Sequence, residues 1–182
     1  MSLSMIMGPM FAGKSSELIK RITSSNAPKI VINNQLDNRY SKSEISTHDG
    51  KKIPCVSMEA LEQLFTNYHN MNCYALDDIK EIYIDEAQFF PDLYDVVFDL
   101  VINYKKRVVI SGLDGDFQMR PFAKSRMLEL IPLASEIVKI PAKCYKCGEA
   151  AWYSKRLINS DEQILVGTDN IYQPACLIHH AV

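Results

Sequence analysis

Residues Gly8 to Ser15 read Gly-Pro-Met-Phe-Ala-Gly-Lys-Ser, the G-x-x-x-x-G-K-S pattern of a phosphate-binding loop. Glycines at these positions let backbone N–H groups converge on an anion. A helix starting there adds unsatisfied N–H groups and the positive end of its dipole. Lys14 then offers charge to the outer phosphates of a nucleotide, and the Ser15 hydroxyl offers a ligand to Mg²⁺. A second reactive group is the acidic pair Asp85-Glu86, which follows the apolar run Ile82-Tyr83-Ile84. One carboxylate can hold the metal shell while the other accepts a proton. Alone, such a pair is more often a turn; beside a phosphate loop it reads as catalytic. The third group is Cys144-x-x-Cys147 with Cys176-x-x-His179. Two close pairs separated by a loop suit a tetrahedral zinc site of three thiolates and one imidazole. A disulfide or redox pair is the alternative, but a redox C-x-x-C sits at a helix start after a strand and needs no second pair. His180 is a substitute ligand, although the C-x-x-H spacing favours His179. Cys55 and Cys73 lack any such pattern and read as free thiols.

These groups need elements to position them. The apolar stretch before Gly8 predicts a strand, and Leu18, Ile19 and Ile22 recur on helical spacing through Ser16–Thr23. Lys29 to Asn33 and Arg107 to Leu113 read as buried parallel strands, as does the run into Asp85. Ile53 to Val56 predicts a further strand, Met58 to Asn67 a helix, and Leu93 to Tyr104 a helix started near Pro91-Asp92. Glu129 to Ile140 reads as the end of a helix followed by a short strand through Val138 and Ile140. The polar stretch Asn34 to Lys52 predicts a long loop that carries function or disorder. Alternating strands and helices imply an α/β fold, a parallel sheet with helices on both faces. Ligands in such sheets lie at the carboxyl ends of the strands, where Ser15, Asp85, Glu86 and Asp114 are expected to gather.

The 182 residues suit one compact domain with a small appendage, and an apolar content of 47% can fill its core. Twenty basic against 22 acidic residues give a formal charge of −2, so no global field draws the chain to nucleic acid or an anionic membrane. No apolar run reaches transmembrane length, and the first residues lack the pattern of a signal peptide. The expectation is a cytoplasmic protein that binds neither nucleic acid nor membrane.

In combination, these motifs resemble one family: the thymidine kinases shared by animals, plants, many bacteria and poxviruses. The likeness rests on residues 8–15, Asp37-Asn38-Arg39-Tyr40-Ser41, Thr47-His48-Asp49, Ile84-Asp85-Glu86-Ala87-Gln88-Phe89-Phe90, Gly112-Leu113-Asp114-Gly115-Asp116-Phe117, Lys155-Arg156-Leu157, the segment Val166-Gly167 to Tyr172 and the cysteine pairs. It implies a RecA-like phosphate-loop kinase domain over 1–141 and a zinc-binding domain over 142–182. A lasso loop in the second is expected to cover the nucleoside.

The resemblance implies further roles. Gly8, Pro9, Met10, Phe11, Ala12, Gly13, Lys14 and Ser15 hold ATP, with Asp37, Arg39, Asp85 and Gln88 completing the nucleotide and Mg²⁺ site. Glu86 is the general base. Met10, Leu113 and Phe122 line the base pocket, Phe117 and Tyr172 contact the nucleoside, and Ile164, Leu165, Val166 and Gly167 give lasso backbone. Cys144, Cys147, Cys176 and His179 hold structural zinc. A homotetramer phosphorylating thymidine and inhibited by dTTP is expected, without the leader of many relatives or the regulatory tail of animal ones. Two departures stand out: His179 where many members have cysteine, and Thr168 where a second glycine is common. Two rival readings keep parts of the pattern. A phosphate-loop ATPase acting on nucleic acid would be expected to show a basic track and stacking aromatics. A zinc-ribbon interaction module leaves the phosphate loop without purpose.

Overall fold

The computed structural model describes residues 1–36, 43–46, 50–66, 76–165, 167 and 169–181. Six strands form its central sheet: β1 (Ser2–Met7), β2 (Lys29–Asn34), β5 (Val56–Met58), β6 (Glu81–Ile84), β7 (Arg107–Gly112) and β8 (Glu136–Lys139). Their order is β5-β2-β6-β7-β1-β8, and every pairing is parallel. β7 therefore lies between the strand that feeds the phosphate loop and the strand that feeds the acids, with Met5 level with Ile110 and Ile84 level with Ile110 on the other side.

Strand alternation divides the core. Leu3, Met5, Ile82, Ile84, Val108 and Ile110 point to one face and join Leu93, Val97 and Leu100 of α3 (Leu93–Ile102). Ile6, Tyr83 and Val109 point to the other and meet Leu18, Ile19 and Ile22 of α1 (Lys14–Ser24). Both faces are covered, which explains why these strands are apolar throughout rather than alternating. Emptying one such site costs roughly 2–5 kcal/mol, so Ile6→Ala is expected to loosen α1 from the sheet. Among the described residues, no helix is long and apolar enough to cross a membrane.

Several boundaries differ from the sequence expectation. The stretch read as strand at 53–56 is divided between β4 (Lys52–Pro54), antiparallel to β3 (Glu44–Ser46), and β5, which joins the main sheet. The helix expected from Met58 is replaced by the end of β5, because Met58 pairs with Asn34. Only the turn α2 (Gln63–Thr66) remains helical there. Leu61 and Leu64 still reach the core, since a short strand plus a turn can satisfy the same apolar spacing as a helix. Residues Met127–Leu133 form a 3-10 helix with Pro132 inside it, and β8 ends at Lys139, one residue before Ile140.

Beyond the sheet come two small antiparallel pairs: β9 (Ala142–Lys143) with β10 (Ala150–Ala151), and β11 (Tyr153–Arg156) with β12 (Tyr172–Ala175). The chain then enters the single turn α4 (Leu177–His180). Ala142, Cys144 and Ala151 pack with Ala12 of the phosphate loop, so this segment is built against the loop itself.

Candidate active site and metal cluster

The phosphate loop runs from the end of β1 to the start of α1. Gly8 has φ of 150°, and a Cβ there would lie 2.2 Å from the Ile140 carbonyl oxygen, so the close approach of these two backbone segments requires glycine. Gly13 caps α1 with φ of 81°, and Phe11 takes a left-handed conformation at 64°. A non-glycine residue held there stores strain, which concentrates at ligand-binding turns. Lys14 is buried and its Nζ donates to the Pro9 carbonyl at 2.7 Å, which keeps the ammonium over its own loop. The Met10 N–H donates to Ser154 Oγ of β11 at 2.9 Å.

At the end of β6, Asp85 is only 4% exposed. Burial and the neighbouring Glu86 charge push its pKa from 3.8 up to about 6, against the opposing pull of the Ser15 hydroxyl and the Glu86 N–H. Glu86 adopts φ 50° and ψ 40°, which turns the chain sharply into the 3-10 turn Ala87–Phe89. Its carboxylate is held from below. Gln88 Nε2 donates to Glu86 Oε2 at 2.6 Å, while Gln88 Oε1 accepts from the Leu113 N–H at 2.9 Å. Both ends of the buried amide thus connect the acid to the end of β7. Gln88, expected among nucleotide contacts, stands as this brace and outside the cleft lining.

One cleft unites most of the predicted site residues that the structure describes, apart from the cysteine cluster. Met10 to Ser15, Asp85 and Glu86 line one part, and Leu113, Phe117, Phe122, Ile164, Leu165, Gly167 and Tyr172 line the rest. Gly8 and Pro9 are not part of this lining. Asp37, Arg39 and Val166 fall outside the described residues, as do the motifs around them at 37–42 and 47–49 and the thiol Cys73. Asp114, grouped with the acids by sequence, is instead ion-paired to Lys139 at 2.7 Å. Asp116 takes the place in the lining. Burial opposes its charge, but the N–H groups of Arg120 and Gln118 and the Gln163 amide hold its carboxyl below the usual range.

Asn33, Phe89, Ser154 and Gln163 also reach the cleft and were not expected. Ser154 falls on the buried side of β11, but the sequence Tyr-Ser-Lys-Arg has no apolar alternation to mark that side. Gln163 lies in a polar loop with no periodicity to mark it.

Cys144, Cys147, Cys176 and His179 converge, with all four ligand atoms within 4.8 Å of one another. His179 Nδ1 lies 3.4 Å from Cys144 Sγ and 3.3 Å from Cys176 Sγ, and the sulfurs of Cys147 and Cys176 are 3.9 Å apart. Tetrahedral zinc with ordinary bond lengths sets about 3.8 Å between sulfurs and about 3.5 Å between sulfur and nitrogen. The set fits that ion. Burial opposes ionisation of Cys144, yet the surrounding N–H groups of Cys176, Lys146 and Cys147 bring its pKa down to about 5, as suits a thiolate ligand. His180 is engaged elsewhere: its Nε2–H donates to the Phe117 carbonyl at 2.9 Å and its ring lies against Tyr153.

A parallel α/β sheet with a phosphate loop after one strand, an acidic pair two strands away and a four-ligand cluster packed on the loop defines a phosphate-loop nucleotide-binding protein with a metal-type appendage. The family model described as "Thymidine kinase" matches residues 1–180. A thymidine kinase of Oryza sativa subsp. japonica is 36% identical over 98% of this chain and 65% of its own length. Thymidine kinase a of Arabidopsis thaliana is 36% identical over 98% of this chain and 74% of its own. The chain belongs to the thymidine kinase family. It spans just under two thirds of the rice relative.

Proposed function

We propose that the chain transfers the γ-phosphoryl group of ATP to the 5′-hydroxyl of thymidine, and of deoxyuridine, giving deoxynucleoside monophosphates for nucleotide salvage. One observation carries this reading: the phosphate loop, Asp85, Glu86 and the aromatic wall of Phe117, Phe122 and Tyr172 line a single cleft. A phosphoryl donor held by the loop and a nucleoside held by that wall would meet at the acids.

Phosphoryl transfer asks little covalent work of a protein, so the chain contributes position and charge. Loop N–H groups and Lys14 bind the triphosphate, and Arg39 approaches the transferring phosphate. Ser15 and Asp85 would hold Mg²⁺, which when bound neutralises charge developing on the β- and γ-oxygens. Glu86, fixed by Gln88, accepts the proton of the 5′-hydroxyl as the oxygen attacks. The backbone of Ile164 to Gly167 meets the edge of the base. Zinc at the Cys3His cluster is structural, since four protein ligands leave no position for a catalytic water. A zinc-binding domain over 142–182, a homotetramer, inhibition by dTTP and a cytoplasmic location rest on the family resemblance.

Measuring ATP turnover with and without thymidine tests the reading. ADP release that requires thymidine and matches the monophosphate formed supports it. ATP hydrolysis indifferent to thymidine but stimulated by single-stranded nucleic acid would replace it with the ATPase reading.

A further inference from the structure

Arg156 is the last residue of β11 and only 8% exposed, yet it stands outside the cleft lining. All five of its N–H donors are used. Nε and one Nη2 hydrogen go to the Tyr172 hydroxyl, at 3.2 and 2.7 Å. The two Nη1 hydrogens go to the carbonyls of Ser160 and Glu162, at 3.0 and 2.6 Å, and the remaining Nη2 hydrogen goes to the Gln163 carbonyl at 3.2 Å. The Tyr172 hydroxyl in turn donates to the Leu165 carbonyl at 3.0 Å. The flat face of the guanidinium lies 3.7 Å from the Phe117 ring centroid.

Arg156 and Tyr172 are also register partners in the β11–β12 pair, so they stand at the two ends of the loop that they serve. A segment of this length without regular structure must be ordered by contacts other than a backbone ladder. Here one arginine and one tyrosine fix four carbonyls of that loop. The same guanidinium supports Phe117, which lines the cleft from another loop.

We propose that Arg156 is the positioning residue for base selection. It acts through the lasso backbone and Phe117 and touches no substrate itself. The inference rests on the reading that this backbone meets the base. Lysine cannot replace it, because an ammonium offers three donors from one point and no planar face to stack on Phe117. Its role belongs to the nucleoside side of the cleft, away from the phosphate loop.

The test compares wild type, Arg156→Lys, Tyr172→Phe and the double variant, each checked for full zinc content and cooperative unfolding. Steady-state kcat and KM are measured for thymidine, deoxycytidine and ATP. In both single variants the thymidine KM is expected to rise at least ~10-fold, and the thymidine-to-deoxycytidine ratio of kcat/KM to fall at least ~10-fold. The ATP KM is expected to stay within about twofold. The double variant is expected to be little worse than Arg156→Lys, because both act through one network. Unchanged selectivity in both single variants, or a loss confined to kcat, overturns the proposal. If Arg156→Lys does not fold, Tyr172→Phe decides by the same criteria. A wild-type enzyme without preference for thymidine refutes the underlying lasso reading instead, so the two failures are distinguishable.

Discussion

Replacing Asp85 with asparagine is expected to stabilise the magnesium-free protein while abolishing its turnover. The carboxyl is buried at the end of β6, and its pKa is raised from 3.8 to about 6 by burial and the Glu86 charge. Between those values the folded protein keeps a proton that the unfolded chain has released. The stability tied to that proton is therefore complete below pH 3.8 and lost as pH rises through 6. At about 1.4 kcal/mol per pKa unit, the ionised side chain costs the fold roughly 3 kcal/mol at neutral pH. Asparagine keeps the shape and an acceptor for the Glu86 N–H but carries no charge. Its advantage should be clearly smaller at pH 5, where much of the folded protein still carries the proton, and reach roughly 3 kcal/mol at pH 7.5. For a chain of this size, the larger figure is about 6–12 °C in Tm. Urea or calorimetric unfolding at the two pH values measures it, in buffer free of magnesium and of any chelator that would strip a metal from the Cys3His cluster. An Asp85→Asn protein no more stable than wild type at pH 7.5, or one whose gain is the same at pH 5, would refute the reasoning.

Glu86→Gln is expected to lower turnover by roughly two to four orders of magnitude with nucleotide affinity nearly intact, measured by single-turnover transfer and nucleotide titration. Near-normal turnover would move the base elsewhere. One zinc per chain is expected by elemental analysis of freshly purified protein, and Cys147→Ser should lower that content; zinc-free native protein would contradict the closed cluster. At Leu165, proline should damage thymidine selectivity more than alanine, because proline removes a backbone donor where the proposed recognition depends on backbone. Equal effects of the two substitutions in the kinetic assay would remove that basis.

The strands and the helices of the two faces were legible because apolar runs and 3.6-residue spacing report burial directly: Lys29–Asn34, Glu81–Ile84 and Arg107–Gly112 are strands close to their expected limits. The region after Asn34 was less legible. Met58, Leu61 and Leu64 satisfy a helical pattern, but Met58 is claimed by the ladder to β2, a contact set by chain folding and invisible to local spacing. At the site, the phosphate loop, the acidic pair and the Cys3His cluster announced themselves by residue type. Supporting residues did not. Gln88 braces Glu86 through both ends of a neutral amide, and Arg156 orders a loop by bonding carbonyls, whose positions no side-chain pattern encodes. Asp114 and Asp116 are of one type two residues apart, yet the first pairs with Lys139, distant in sequence, and only the second lines the cleft.

The most direct measurement is the ratio of kcat/KM for thymidine to that for deoxycytidine, with saturating ATP and magnesium. Thymine presents a donor–acceptor edge that cytosine partly reverses, so cytosine would leave buried backbone groups of the lasso unpaired. That loss is of the kind that discriminates by about four to five orders of magnitude. Deoxyuridine lacks only a methyl group, worth roughly 1–3 kcal/mol in an apolar pocket, and should fall between them. A ratio of several orders of magnitude is expected, whereas comparable values for thymidine and deoxycytidine would contradict recognition of the base by the lasso backbone.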